Sequence, residues 1–282
     1  MPVNDNLGMR MKNNYESVPK TRLMRRTPVA IRIDGKAFHT FTKGFEKPFD
    51  MILIESMQQT MKYLCENIQG CVFGYCQSDE ITLILVDYQT LTTDAWFDYE
   101  VQKICSISAS MATMAFNKFF ETNVKNYIRN IMPNILTPLA ETYMKATEKG
   151  AMFDARCFNI PKEEVTNLIY WRQLDATRNS IQMVGQANFS HKELQNKSCN
   201  MIQDMLHEQK GINWNDFPTV CKRGTACIKN KRIIGYVDGS GTTIAELINP
   251  SELETSWILD TEMPILKGED RKYVDDLVYI GE

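Results

Sequence analysis

The chain is poor in histidine, and its cysteines are not spaced for metal. Three histidines stand among 282 residues, and none of the eight cysteines falls in a Cys-x-x-Cys pair. A structural zinc site needs clustered thiolates or imidazoles, so that class is set aside. The first residues, MPVNDNLGMRMKNN, contain no apolar core of the kind a secretory leader needs. Cys65, Cys71, Cys76, Cys105, Cys157, Cys199, Cys221 and Cys227 are therefore expected as free thiols, several of them acting as small hydrophobes, and not as a disulfide framework. No apolar run is long enough to span a bilayer, and the expected location is the cytoplasm. Internal repeats, low-complexity segments and obvious linkers are missing too.

A strong charge of either sign is also lacking. The net charge is −3, which by itself does not advertise nucleic-acid binding. Its distribution is uneven. Arg10, Lys12, Lys20, Arg22, Arg25 and Arg26 crowd the start, Lys222, Arg223, Lys229, Lys231 and Arg232 lie together without an acid, and the stretch from Glu252 onward is acidic. Such basic stripes either bind phosphate or are solvated faces. An apolar fraction of 43% and a charged fraction of 24% are those of a soluble globular protein.

What the sequence does contain is an ordered change of period. TPVAIRID alternates, with Val29, Ile31 and Ile33 on one face and Ala30, Arg32 and Asp34 on the other, so it predicts a strand begun by Pro28. From about Asp50 to Gln69 the period becomes helical, with Ile54, Met57, Met61, Leu64 and Ile68 forming a stripe that Gly70 follows. CVFGYC and ITLILV (81–86) read as strands, the second apolar on both faces and hence central. QSDE between them is a turn. A helix rich in small residues is expected from about Tyr99 to Phe120, then a segment over 121–150 broken by Pro133 and Pro138. AMFDARCFNI (151–160) reads as a strand ended by Pro161, and the remainder as mostly helical, most clearly in KEEVTNLIYWRQLDATRNSIQMV.

This order predicts an α+β protein with a ferredoxin-like, split β-α-β core of the kind found in polymerase palms. The expected division is a core over 1–160 and a helical or mixed extension over 161–282, packed on it as one continuous globular unit. Because a fold does not fix a function, the site is argued separately.

In a split β-α-β sheet the first and third strands are neighbours. Asp34, at the end of the first, and Asp79 and Glu80, in the turn before the third, can therefore meet at one edge. Carboxylates gathered there repel one another, and magnesium relieves this while leaving room for substrate phosphates. Two such ions suit phosphoryl transfer. Gly35 beside Asp34 would let the backbone approach a phosphate or metal closely, and the amides of Lys36, Ala37, Phe38 and His39 would face a triphosphate. Lys36, Lys43 and Lys47 are candidate counter-charges. Each element alone is also an ordinary polar turn.

The blocks RIDGKAFHTF, KPFD, GYCQSDEITLIL, FDARCF, WRQLDATRN and KRGTACIK, taken in order over about residues 28–230, resemble the tRNA-His guanylyltransferase family. The resemblance implies 3′-to-5′ nucleotide addition to the 5′ end of tRNA, after activation by ATP or through an existing triphosphate. It implies two magnesium ions on Asp34, Asp79 and the Gly35 carbonyl, with Glu80 as the adjoining acid. ATP and GTP or another NTP would be substrates, touching residues 34–39, Lys47 and Ser78. It also implies a homotetramer with tRNA as partner. Arg32, Arg172, Arg178, Asn179, Lys222 and Arg223 are weaker RNA-binding candidates. Where the eukaryotic enzymes carry His-Ile-Asn-Asn, this chain has Thr177, Arg178, Asn179 and Ser180. That departure points to the Thg1-like proteins and to template-dependent repair of 5′-truncated tRNA, rather than strict guanosine addition to tRNA-His.

Other residues are expected to be structural. Trp171, Trp214 and Tyr170 are expected to pack in the core rather than stack on bases, and His191 and His207 to be solvated. His39 is a nucleotide contact or a structural residue, and Arg172 an internal ion pair or an RNA contact. Two rival functions remain at this stage. One is a palm-fold nucleotide cyclase, although the Gly-Gly-Asp/Glu-Glu-Phe signature is missing. The other is a non-catalytic tRNA-binding protein.

Overall fold

The computed structural model describes residues 6–130, 137–232 and 254–281. A short helix, α1 (Asn6–Met11), leads to strand β1 (Val29–Gly35), a single helical turn α2 (Phe38–Phe41), and helix α3 (Met51–Asn67). Strands β2 (Cys71–Gln77) and β3 (Glu80–Leu85) form a hairpin, followed by the long helix α4 (Val101–Asn130) and then α5 (Pro138–Lys149). Strand β4 (Phe153–Asn159) precedes α6 (Lys162–Asn188), α7 (His191–Leu194), α8 (Cys199–Lys210) and α9 (Thr219–Arg223). Strands β5 (Thr225–Arg232) and β6 (Glu254–Asp260) and helix α10 (Lys272–Val278) complete the described chain.

The six strands form one antiparallel sheet in the order β4-β1-β3-β2-β5-β6. Strand β3 is central, as its apolar character predicts, and β1 pairs with it directly. The two faces of β1 part as the alternation requires. Val29, Ile31 and Ile33 enter a core with Met57, Met61 and Leu64 of α3 and Phe116 of α4. Ala30 lies in a second core on the opposite face, with Val165 and Ile169 of α6 and Val274 and Val278 of α10. The sheet is thus a layer between two helical layers.

Three sequence expectations are corrected. Helix α4 runs on to Asn130, because Val124 continues its buried stripe. Pro138 begins a helix instead of breaking one: Thr137 caps it, accepting a bond from Ala140 N–H at 3.2 Å, and a proline at the first helical position has no amide to waste. The part after 161 also holds two strands, β5 and β6, which extend the sheet from the edge of β2. The Pro133 break and the side chains of Lys231 and Arg232 lie outside the described residues. Among the described residues no helix is long and apolar enough to cross a membrane.

Asp50 is the buried polar joint of this arrangement. Its carboxylate caps α3 by accepting from Leu53 N–H at 2.9 Å, and also accepts from Glu46 N–H at 3.0 Å and from the Tyr143 hydroxyl of α5 at 2.6 Å. Asp50→Ala removes the cap and leaves that hydroxyl buried without its partner. It should lower unfolding stability by about 2–4 kcal/mol in urea titration, with Tyr143→Phe costing less.

Candidate functional site

The site begins with strand register. Asp34 of β1 is the cross-strand partner of Glu80 at the start of β3, and Gln77 at the end of β2 is the other partner of Glu80. The hairpin therefore turns in two residues, Ser78 and Asp79. Ser78 adopts a left-handed φ of 51°, uncommon for a residue with a side chain. The carbonyl of Asp79 accepts the Gly35 N–H at 3.1 Å, which stitches the turn to the end of β1. Asp34 and Asp79 are thereby brought to the same edge of the sheet.

Beside them lies an open cleft of about 530 Å³. Asp34, Gly35, Ala37, Phe38, His39, Lys47, Ser78 and Asp79 all line it. Lys36, placed with them from sequence, does not, and its amide is spent on the Met152 carbonyl at 2.8 Å. The first amides of α2 have no intrahelical acceptor, by helix geometry, and Ala37 enters that turn with a left-handed φ of 55°.

Gly35 has a packing reason of its own. A Cβ there would stand 2.1 Å from the Phe38 ring. The glycine makes room for that ring, which packs against Phe41, Phe116 and Phe153 at centroid distances of 5.1–5.5 Å. Asp50, Leu53 and Met183 of α6 also line the cleft and were not singled out from sequence. The Asp in KPFD was a legible signal for the first of these. The Met183 contribution depends on how α6 packs.

The three acids fare differently. Glu80 is buried and neutralised: Arg172 bonds it through two nitrogens, at 2.6 and 2.8 Å, and Arg32 adds a third bond at 2.6 Å. Unlike Asp34 and Asp79, it does not line the cleft. Asp79 receives the Ser78 hydroxyl, at 3.0 Å, and no guanidinium among the described residues. Burial pushes its carboxyl above the usual carboxylate range, and the negative charges of Asp34 and Glu80 add to this, against the opposing bond from Ser78. Asp34 is partly exposed, with Arg156 4.0 Å away.

Such under-compensated carboxylates suit a hard cation with oxygen ligands. Among the described residues no group of three or more His, Cys, Asp or Glu side chains gathers as a self-sufficient metal site. Asp34, Asp79 and the Gly35 carbonyl would hold magnesium together with substrate phosphates.

The RNA-binding candidates separate by burial. Arg172 is fixed inside on Glu80 and Asp175. Lys222 is buried, donating to the Asn215 carbonyl and lying over the Trp214 ring. Both are thereby withdrawn as RNA contacts. Arg32 is engaged by Glu80, and Arg223 has a buried Nε without a partner. Arg178 is exposed and paired with Asp175, while Asn179 bonds Asp175 and reaches a smaller pocket that shares Asp50, Leu53, Ser78 and Met183 with the cleft. His39, His191 and His207 are exposed. Trp214 is buried as expected, with its indole N–H on Ser180, but Trp171 is 52% exposed, against expectation.

The family model described as tRNAHis guanylyltransferase (Thg1) matches residues 9–161, more than half of the chain. The chain belongs to the tRNAHis guanylyltransferase family. This is a family of nucleotidyltransferases. The chain is 26% identical to the tRNA(His) guanylyltransferase of Saccharomyces cerevisiae over 220 residues, 73% of this chain and 84% of that one. It is 28% identical over 265 residues to an uncharacterised protein of Acanthamoeba polyphaga mimivirus, covering 90% of this chain and 87% of the other. A bacterial Thg1-like protein solved in complex with ATP superposes with a TM-score of 0.76 at 41% identity, over 97% of this chain and all of that one. A bacterial Thg1-like protein in complex with GTP gives 0.73 and 39%, over 98% of this chain and all of that one.

Two stability predictions follow from the contrast between the acids. Glu80→Ala leaves Arg172 buried without its main partner and should cost about 3–5 kcal/mol in denaturant titration. Asp79 behaves in the opposite sense. Its folded pKa lies above the unfolded one, so the folded state binds more protons between the two values. Its contribution to stability therefore rises as pH falls through the raised pKa. Without magnesium at neutral pH, Asp79→Asn should be at least as stable as the unsubstituted protein, and that advantage should shrink on acidification. Magnesium should raise the melting temperature of the unsubstituted protein and leave that of Asp79→Asn unchanged.

Proposed function

We propose that this protein adds nucleotides in the 3′-to-5′ direction to the 5′ end of tRNA. Base pairing with the opposite acceptor strand selects the nucleotide, and 5′-truncated tRNA is the substrate. The observation that carries this reading is the convergence of Asp34 and Asp79 on a cleft wide enough for a nucleotide and lined by Lys47, His39 and the first turn of α2. The bacterial Thg1-like relatives with ATP and GTP support nucleoside triphosphates as its ligands. The reading takes β1, β2 and β3, with their flanking helices, as a polymerase-type palm, residues 161–282 as its extension, and a cytoplasmic homotetramer as the working form.

The division of labour follows from the chemistry of each residue. Asp34 and Asp79, with the Gly35 carbonyl, hold magnesium. Held there, such an ion would supply neutralisation of the phosphate charge that builds up in transfer. Lys47 faces the phosphates as a mobile positive charge, and the α2 amides offer fixed donors. The 5′ end is activated by transfer of an adenylyl group from ATP, with pyrophosphate leaving, or already carries a triphosphate. The 3′-hydroxyl of the incoming NTP then attacks the 5′ α-phosphate, expelling AMP or pyrophosphate. The Thr177–Ser180 block, in place of His-Ile-Asn-Asn, favours repair over strict guanosine addition.

The test is direct. Protein, magnesium, ATP and the four NTPs are incubated with a 3′-labelled tRNA lacking its first nucleotide, and products are resolved by length. The expected result is restoration of the nucleotide that pairs with the opposite strand, following that strand when its base is changed. Asp34→Ala and Asp79→Ala should each reduce the rate by at least about a thousandfold, as loss of a metal-held charge clamp would. Failure to extend both 5′-monophosphate and 5′-triphosphate substrates would reject the reading.

A further inference from the structure

Helix α6 contains an inversion. At Trp171-Arg172-Gln173 the tryptophan is 52% exposed, while the arginine and glutamine beside it are buried. The usual preference is the reverse. The other tryptophans, Trp96, Trp214 and Trp257, are each 8% exposed. Trp171 is nevertheless not loose. The Arg172 guanidinium lies 4.5 Å from its ring centroid and that of Arg32 5.5 Å. Both guanidinium groups are locked on Glu80, so the indole is braced from beneath by charges that cannot swing away.

The position of this ring matters as much as its rigidity. Arg32 precedes Asp34 by two residues on the same strand face, a separation of about 7 Å. Arg156 of β4 is the cross-strand partner of Arg32, and its guanidinium reaches toward Asp34. One and two turns further along α6, on the side of the helix that carries Trp171, come Leu174, 50% exposed, and the exposed Arg178. The guanidinium charges here are matched by Glu80, Asp154, Asp34 and Asp175. What the patch offers a partner is therefore a flat, rigid π surface with an apolar border, set beside the carboxylate edge.

We propose that Trp171 is a stacking platform for the base pair that the incoming nucleotide forms with the opposite strand, covering its outer face and holding the adjoining 5′ end against Asp34 and Asp79. The inference rests on the proposed function and deepens it by naming the surface that receives the RNA. That pair is the last of the duplex, and a rigid indole covers its outer face whatever the base identity. Such a contact suits an enzyme that takes sequence information from the opposite strand and needs only to register the helix end.

Intrinsic fluorescence of the full-length protein tests this, because Trp171 is open to acrylamide while the other three tryptophans are buried. The expected result is that free protein is quenched by acrylamide, that 5′-truncated tRNA together with the NTP that pairs with its opposite strand protects or quenches the accessible component, and that Trp171→Phe abolishes this change. Trp171→Ala should weaken tRNA binding in the presence of the pairing NTP by about tenfold or more, the scale of one lost base–aromatic stack, with NTP binding in the absence of tRNA unchanged. Trp171→Phe should restore binding to within about threefold. Bound tRNA and pairing NTP that leave accessibility unaltered would overturn the inference and leave the proposed function standing, as would an indole already shielded in free protein by a second copy of the chain. Undetectable tRNA binding by the unsubstituted protein would reject both.

Discussion

The bidentate bond between Arg172 and Glu80 is the joint on which the site depends. Glu80 is the residue after the Ser78–Asp79 turn, and it faces Asp34 across the β1–β3 ladder. Arg32 of β1 bonds the same carboxylate. One buried acid therefore fixes the positions of β1 and β3, the turn between β2 and β3, and helix α6. A register slip of one residue would send Glu80 to the opposite face of the sheet. There it would meet the apolar core of Met57, Met61 and Phe116 with no arginine to receive it. Buried ion pairs add little net stability over a well-packed apolar equivalent. What this one supplies is an unfavourable alternative, and hence a single register for the carboxylate edge.

Adjacent residues in that turn have opposite electrostatic fates. Glu80 has three guanidinium bonds, whereas Asp79 has a hydroxyl and two negative neighbours. The backbone causes the split, because Glu80 opens strand β3 on the face that carries the arginines, whereas Asp79 lies in the turn outside the strand. The arginines lie on the α6 side, so compensation reaches Glu80 and stops there. The strain left at Asp79 is electrostatic and is relieved by whatever cation the cleft admits. Structural order and chemical demand are thus separated within two consecutive residues.

Much of this was legible in the sequence where the signal was local. Strand alternation in TPVAIRID, the helical stripe from Ile54 to Ile68, and the polar turn QSDE were enough to place Asp34 beside Asp79. Pro138 was legible too, since Thr137 before it and Glu141 after it make a helix start. The reading as a break ignored the cap. Strands β5 and β6 were not legible in the same way. TACIKNKR is too polar to announce itself, and its strand character comes from the free edge of β2. The orientation of Trp171 and Arg172 was likewise decided far away in sequence. A tryptophan beside an arginine goes inward by default, and the order is reversed only because Glu80 waits inside. The need for glycine at position 35 to admit the Phe38 ring was not legible, because it depends on how that ring packs.

That ring is also why the cleft has a firm wall. Phe38, Phe41 and Phe45 recur at spacings of three and four and enter a cluster with Phe116, Phe120, Phe153 and Tyr143. The segment between β1 and α3 is thus pinned from below by three aromatic side chains. Its ends are tied as well, by Lys36 N–H to Met152 O and by Glu46 N–H to Asp50. With the apolar residues turned down, His39 and Lys47 are left facing the cleft. A long lysine on a fixed backbone can follow a phosphate without moving the wall that carries it. The aromatic cluster, although it touches no carboxylate, therefore determines where the positive side of the cleft stands relative to the negative one.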